Sequence, residues 1–166
     1  MFQKNYKKGF TLIELLIVIG ILAILAGIVF VALDPLTRFR DARDSSRWGD
    51  ISAVLSAIRV DQVDNGGSYI AAISGLTVDT DYMIGTNSGA TCIANTPCDT
   101  AITNGNCVDI AGLVTEGYLG KVPQSSNGAG TWSAGKTGYY VRRNTNNSVT
   151  VGACESENTA SISVTR

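Results

Sequence analysis

Hydrophobic and polar positions divide the chain at residue 33. From Phe10 to Leu33 the 24 residues are apolar or small except for Thr11 and Glu14, and Glu14 is the only charged one. At about 1.5 Å per residue, such a run predicts a helix able to cross a hydrocarbon layer roughly 30 Å thick. It is longer than the core of a cleavable signal, about 7–15 residues, and no Ala-x-Ala pattern follows it. Lys4, Lys7 and Lys8 precede it with no acid among them, which places residues 1–9 in the cytoplasm and the head outside.

Asp34-Pro35 interrupts the pattern. Pro35 removes a backbone donor and crowds the preceding turn, which predicts a kink or local melting. The same pair also fits a helix stop, with Asp34 capping a second helix that begins at Pro35. Residues 36–64 then read as helical. Arg40–Asp44, Arg38–Asp41 and Arg47–Asp50 stand at i,i+4 or i,i+3, which predicts a charged belt on the helix surface just outside the bilayer. Ile51, Val54, Leu55 and Ile58 form an apolar stripe that should pack on a globular head, with Trp48 nearby. Asn65-Gly66-Gly67 is the expected stop. A continuous helix over residues 10–64 would be about 80 Å long.

Beyond the helix the pattern weakens. Residues 66–106 are rich in Gly, Thr, Ser and Asn and read as a long surface connection, with one short strand around Thr77–Ile84. A short helix is expected near Ile110–Thr115. Strand-forming runs follow at Tyr139–Arg143, Ser148–Ala153 and Ser161–Val164, the first two joined by an Asn144–Asn147 turn. The expected fold is α+β: a long N-terminal helix whose second half packs against a small antiparallel meander. Residues 1–9 form a leader, 10–33 a membrane helix, 34–64 its amphipathic continuation and 65–166 an extracellular head.

Charge and composition remove several function classes. The three segments 1–9, 10–64 and 65–166 carry +3, −2 and −2. A weakly acidic head lacks the basic footprint of a nucleic-acid binder, so nucleic acid is not an expected partner. The chain has no His, the commonest general base and transition-metal ligand. No paired-acid or metal constellation appears, and neither an enzymatic activity nor a cofactor or metal is expected. The four cysteines, Cys92, Cys98, Cys107 and Cys154, all lie in the head and read as two disulfides in an oxidising compartment. Three pairings are possible. Cys92 and Cys98 flank a Thr-Pro turn, which favours Cys92–Cys98 and Cys107–Cys154.

Glu14 complicates a simple membrane anchor. A carboxylate inside a span costs up to about 3 kcal/mol, less near its end. By itself it reads equally as a functional group or as a side chain reaching back to the headgroups. The string Lys7-Lys8-Gly9-Phe10-Thr11-Leu12-Ile13-Glu14 resembles the type IV prepilin signature, with basic leader, Gly, Phe, Glu and apolar run all in register. The resemblance implies that a membrane peptidase cuts after Gly9, that the new N-terminal Phe10 is N-methylated, and that Glu14 is needed for assembly. Glu14 lies one turn from Phe10. In a filament its carboxylate would pair with the Phe10 ammonium of a neighbouring subunit and set their register. Pro35 matches a helix-breaking proline of related pilins.

The resemblance implies three functions: a structural subunit of a type IV pilus serving motility, adhesion or DNA uptake, a pseudopilin of a type II secretion system, or a ligand-binding minor tip pilin. The expected partners are identical or related pilin subunits in a helical filament, a prepilin peptidase, and inner-membrane assembly machinery with a separate ATPase. The expected location is the inner membrane for the precursor and then the extracellular filament. The loop-rich segment 66–106 favours a surface pilin over a compact pseudopilin. Calcium-binding pseudopilins carry an acid and Pro after a Leu-Gly-Lys-Val-Pro-like motif. Here Leu119-Gly120-Lys121-Val122-Pro123 is followed by Gln124-Ser125-Ser126, which departs from that pattern.

Three further motifs read as bland. Gly130–Thr137 fits G-x-x-x-x-G-K-[ST], but a phosphate loop needs a strand before it and a helix after it, and neither pattern is present. Arg142-Arg143 reads as a solvated pair on opposite strand faces, and Asn146-Asn147-Ser148 as a chance sequon.

Overall fold

A computed structural model describes residues 9–94 and 98–166. The leader lysines Lys4, Lys7 and Lys8, and the Thr96-Pro97 step between Cys92 and Cys98, lie outside the described residues. The architecture is α+β, with a long N-terminal helix interrupted once and a small four-stranded antiparallel sheet. The chain divides between Phe39 and Arg40 into two compact units.

The first unit is built on helix α1, Leu12–Leu33. Its apolar residues face every direction and none is buried within the chain. A helix hydrophobic all round needs an apolar environment that its own subunit does not provide. By length and composition α1 can cross a membrane. It ends where Asp34 adopts a left-handed backbone, φ 37° and ψ 71°. Helix α2, Pro35–Asp64, begins at the next residue. Pro35 sits in the first turn, where its missing N–H leaves no gap. The Asp34 carbonyl accepts the Arg38 amide at 3.3 Å, and its carboxylate accepts the Thr37 hydroxyl at 2.6 Å. The break is therefore one residue wide, and the helix restarts at once with Asp34 in the capping position.

In the head, α2 buries the predicted stripe: Ile51, Val54 and Ile58 are fully buried and Leu55 nearly so. Trp48, expected beside that face, stays 38% exposed. α2 ends as expected. Gly66 and Gly67 take positive φ of 64° and 94°, and the Gly67 amide donates back to the Gln62 carbonyl at 2.7 Å. After the short helix α3, Ala71–Ser74, come β1 at Tyr82–Met83, helix α4 at Ala111–Thr115, β2 at Tyr139–Arg143, β3 at Val149–Ala153 and β4 at Ser163–Thr165. The four strands lie in chain order, each antiparallel to the next. The segment Thr77–Ile84 yields a strand only at its end, because β1 has only Val141 and Tyr140 to pair with.

The sheet is covered on both faces. Tyr82, Tyr139, Val141, Val149, Val151 and Ala153 join the α2 stripe and Leu113 of α4 in one core. The alternate residues Met83 and Tyr140 join Cys92, Ile102, Trp132 and Cys154 in a second core on the opposite face. Cys92, Ala94, Cys98 and Ile102, within the segment 66–106 read from sequence as a surface connection, thus supply a second layer. The segment's low apolar content hid this, because four of the eight buried residues of that core are cysteines or small. Gly152 stands opposite Tyr140 across the ladder. A Cβ at Gly152 would lie 2.4 Å from the Tyr140 ring, so the ring needs a glycine beneath it.

The disulfides differ from the sequence expectation. Cys92 pairs with Cys107, and Cys98 with Cys154. The expected Cys92–Cys98 and Cys107–Cys154 bonds are not formed. The reason is a doubling back of the chain. Ala94 and Ile102 exchange backbone hydrogen bonds at 3.0 and 2.9 Å, and the Cys92 amide donates to the Gly105 carbonyl at 3.4 Å. Cys92 and Cys107 meet at the base of this hairpin. Cys98 lies at its far end, where the Asp99 amide donates to the Cys154 carbonyl at 2.6 Å. In the chain-entropy account the two bonds, separated by 15 and 56 residues, contribute about 3 and about 4 kcal/mol.

The charged belt also rearranges. Arg47 is fully buried. Its guanidinium donates to the Asp44 carboxylate at 2.8 Å, to Glu157 at 2.9 Å, to Glu155 at 3.3 Å, to Ser125 Oγ at 3.1 Å and to the Ser126 carbonyl at 3.0 Å. Arg43 forms a two-pronged ion pair with Glu157. Asp44 accepts the Glu157 and Asn158 amides. The expected partner of Arg47, Asp50, instead accepts the Tyr139 hydroxyl at 2.5 Å. Burial, then the Asp50 contact, pushes the Tyr139 phenol far above its ordinary value. The segment 155–158 thus clasps the start of the head's helix. Helix spacing alone could not reveal this, because the competing acids lie more than 100 residues away.

Hydrogen bonds from Arg43, with smaller help from Arg47, hold the Glu157 carboxyl at about 2, below its ordinary 4.5. This pair stabilises the fold fully above about pH 4.5 and loses that contribution as pH falls through 4.5 toward 2. Glu157→Gln should therefore be less stable at neutral pH and show a flatter loss of stability between pH 4.5 and pH 2 in urea titrations. Arg47→Ala should cost about 3–5 kcal/mol, since it leaves buried carboxylates unpaired. In thermal unfolding, Gly152→Ala should destabilise by about 1–3 kcal/mol. Gly49→Ala is the control: a Cβ there meets nothing within 4 Å, and the exchange should stabilise the exposed helix by about 1 kcal/mol.

Candidate assembly site

The N-terminal site is built from Gly9, Phe10, Thr11 and Glu14. Gly9 and Phe10 precede α1 in an open stretch. Phe10 is 88% exposed, and a Cβ on Gly9 would meet nothing within 4 Å. The peptide bond between them is therefore accessible to another molecule.

Thr11 caps α1. Its hydroxyl oxygen accepts the Glu14 amide at 3.3 Å, and the Glu14 carboxylate reaches back to the Thr11 amide at 2.8 Å. The Thr11 hydroxyl also donates to the same carboxylate oxygen, Oε2, at 2.8 Å. This is a capping box: two otherwise orphaned amides are satisfied by each other's side chains. The Thr-x-x-Glu spacing ahead of an apolar run carries that signal, which a reading of Glu14 as a membrane charge and assembly partner leaves out. Thr11 therefore joins the candidate residues. Among the described residues the other carboxylate oxygen, Oε1, accepts no hydrogen bond, so Glu14 keeps acceptor capacity at the apolar helix's start.

The remaining motifs carry structural duties. In the phosphate-loop-like string, Ser133 and Lys136 exchange backbone hydrogen bonds around a tight turn. The Lys136 ammonium donates to the Ile93 carbonyl at 2.9 Å, and the Ala129 and Gly130 amides already hold the Glu155 carboxylate. Arg142 lies 3.6 Å from Asp81, and Arg143 donates to the Ser74 carbonyl at 2.6 Å. After Pro123, where an acid-Pro pattern is missing, Ser125 and Ser126 accept from Arg47, so a guanidinium anchors this loop. No group of three or more His, Cys, Asp or Glu side chains suited to a metal occurs among the described residues.

Comparison with known proteins bears on the same N-terminal segment. Residues 4–30 match the prokaryotic N-terminal methylation motif. Over 89 residues, 53% of this chain, the sequence is 33% identical to the type IV major fimbrial protein FimA of Dichelobacter nodosus. That alignment spans 57% of the relative's length. No solved structure is significantly similar. The matched motif contains Gly9, Phe10, Thr11 and Glu14 and runs through most of α1. Motif, fimbrial relative, membrane-capable helix and antiparallel head agree: the chain carries the prokaryotic N-terminal methylation motif and is similar to a type IV fimbrial protein.

Proposed function

We propose that this chain is a structural subunit of a type IV pilus. Its peptidase-cut form begins at Phe10 and carries an N-methyl group there. The observation that carries this reading is α1 itself: an unburied, wholly apolar helix with one carboxylate in its first turn, inside the matched motif. Before assembly the bilayer covers that surface and the head lies outside the cell. After assembly the same surface is covered by the helices of other copies, so the helix exchanges one apolar environment for another.

Glu14 sets the register of that exchange. Cutting after Gly9 turns the Phe10 amide into an ammonium. The Thr11 bonds hold Glu14 Oε2 in place, and Oε1 remains to receive the Phe10 ammonium of a neighbouring copy. Either charge alone in an apolar setting is costly, and the pair compensates both. The peptidase, the assembly machinery and its motor ATPase are separate partners under this reading.

The test is an intact mass from two cell fractions, sheared surface material and membrane. The expected species is a chain starting at Phe10, one methyl heavier, with two disulfides, in the sheared fraction. The same chain confined to the membrane would favour a pseudopilin, and an uncut chain from Met1 would overturn the reading. Glu14→Ala should be made and inserted yet assemble poorly, with the filament yield seen by electron microscopy falling at least tenfold. Normal filaments from that variant would remove the register role.

A further inference from the structure

A small cavity in the head has no part in assembly as described above. Its volume is about 160 Å³, and Ile84, Ile110, Val122 and Ala134 line it together with Asp109 and Gln124. Ile84 and Ile110 are almost wholly buried.

The walls are fixed before any ligand arrives. The Thr137 amide and hydroxyl donate to the Ile84 carbonyl at 3.0 and 2.7 Å, and the Thr86 amide to the Ala134 carbonyl at 3.3 Å. The Gly85 amide donates to the Val108 carbonyl at 3.0 Å. A Cβ on Gly85 would fall 2.3 Å from the Gly135 carbonyl oxygen, so this glycine lets the two segments close on each other. A preformed site spares a ligand the cost of ordering it.

Size and polarity select the ligand class. An apolar cavity of about 150 Å³ accommodates benzene. The one charged side chain at the cavity is Asp109, whose Oδ1 accepts the Ala111 amide at 2.8 Å. No Lys or Arg lines the cavity, so an anion would meet an uncompensated like charge while a cation would be attracted. Gln124 adds an amide able to donate or accept. We propose that this cavity binds a small amine with a benzene-sized hydrocarbon body, its ammonium group placed against Asp109 and Gln124.

The test uses the full processed chain in lipid nanodiscs with labelled Ile and Val methyl groups, titrated with benzylamine, benzyl alcohol and benzoate. Saturable NMR shifts are expected at Ile84, Ile110 and Val122, with roughly millimolar affinity for benzylamine. Benzyl alcohol should bind several-fold more weakly and benzoate most weakly. Asp109→Asn should bring benzylamine down to the level of the alcohol. Ala134→Leu and Ala111→Leu, each at an exposed position of the lining, should both abolish the shifts while leaving other methyl signals in place. Absent or non-saturating shifts, benzoate binding as well as benzylamine, or shifts confined to α1 methyls such as Ile17 and Ile24 would overturn the proposal. The last outcome would mean partition into the lipid.

Discussion

A helix that is apolar on every side cannot hide itself within its own chain, and α1 is such a helix. An amphipathic helix turns one stripe inward and solvates the other, but α1 offers no stripe to turn. Whatever covers it comes from outside the subunit, which in the pilin reading is lipid first and then other copies of the same helix. Within that apolar surface the capping box of Thr11 and Glu14 is the one polar feature of the first turn. It satisfies the helix's own amides and still leaves a carboxylate oxygen for a partner. In the pilin reading, helix formation and assembly chemistry are served by the same two residues.

The head meets a different constraint. About 100 residues outside the long helix bury only a modest core, yet the sheet has two faces to cover. Helix α2 covers one. The hairpin closed by Cys92–Cys107 covers the other, and Cys98–Cys154 ties its far end to the chain just after β3. The covalent links let a Gly- and Thr-rich segment, poor in large apolar side chains, serve as a structural layer.

Near the start of the head's helix, charge replaces hydrophobic burial. Arg47 gathers Asp44, Glu155, Glu157 and the 125–126 backbone around one guanidinium. Its planar fork of donors suits several acceptors at once, which a lysine could not match. Segments far apart in sequence are thereby pinned to the start of the head's helix.

The local terms of the fold were legible in the sequence. The apolar run, the break at Asp34-Pro35, the Ile51–Ile58 stripe, the Gly66-Gly67 stop and the hairpin Tyr139–Ala153 each depend on residues within a few positions of one another. The motif around Gly9 and Glu14 was legible for the same reason, although its capping partner Thr11 was overlooked. Tertiary structure alone decided which cysteines meet, that Arg47 reaches the distant Glu155 and Glu157, and that Cys92, Ala94, Cys98 and Ile102 are buried against the sheet. Those outcomes depend on which segments pack together, and separation along the chain carries little information about that. Cys98 is nearest in sequence to Cys92, but the Ala94–Ile102 bridge sets Cys92 beside Cys107, and Cys98 bonds to Cys154.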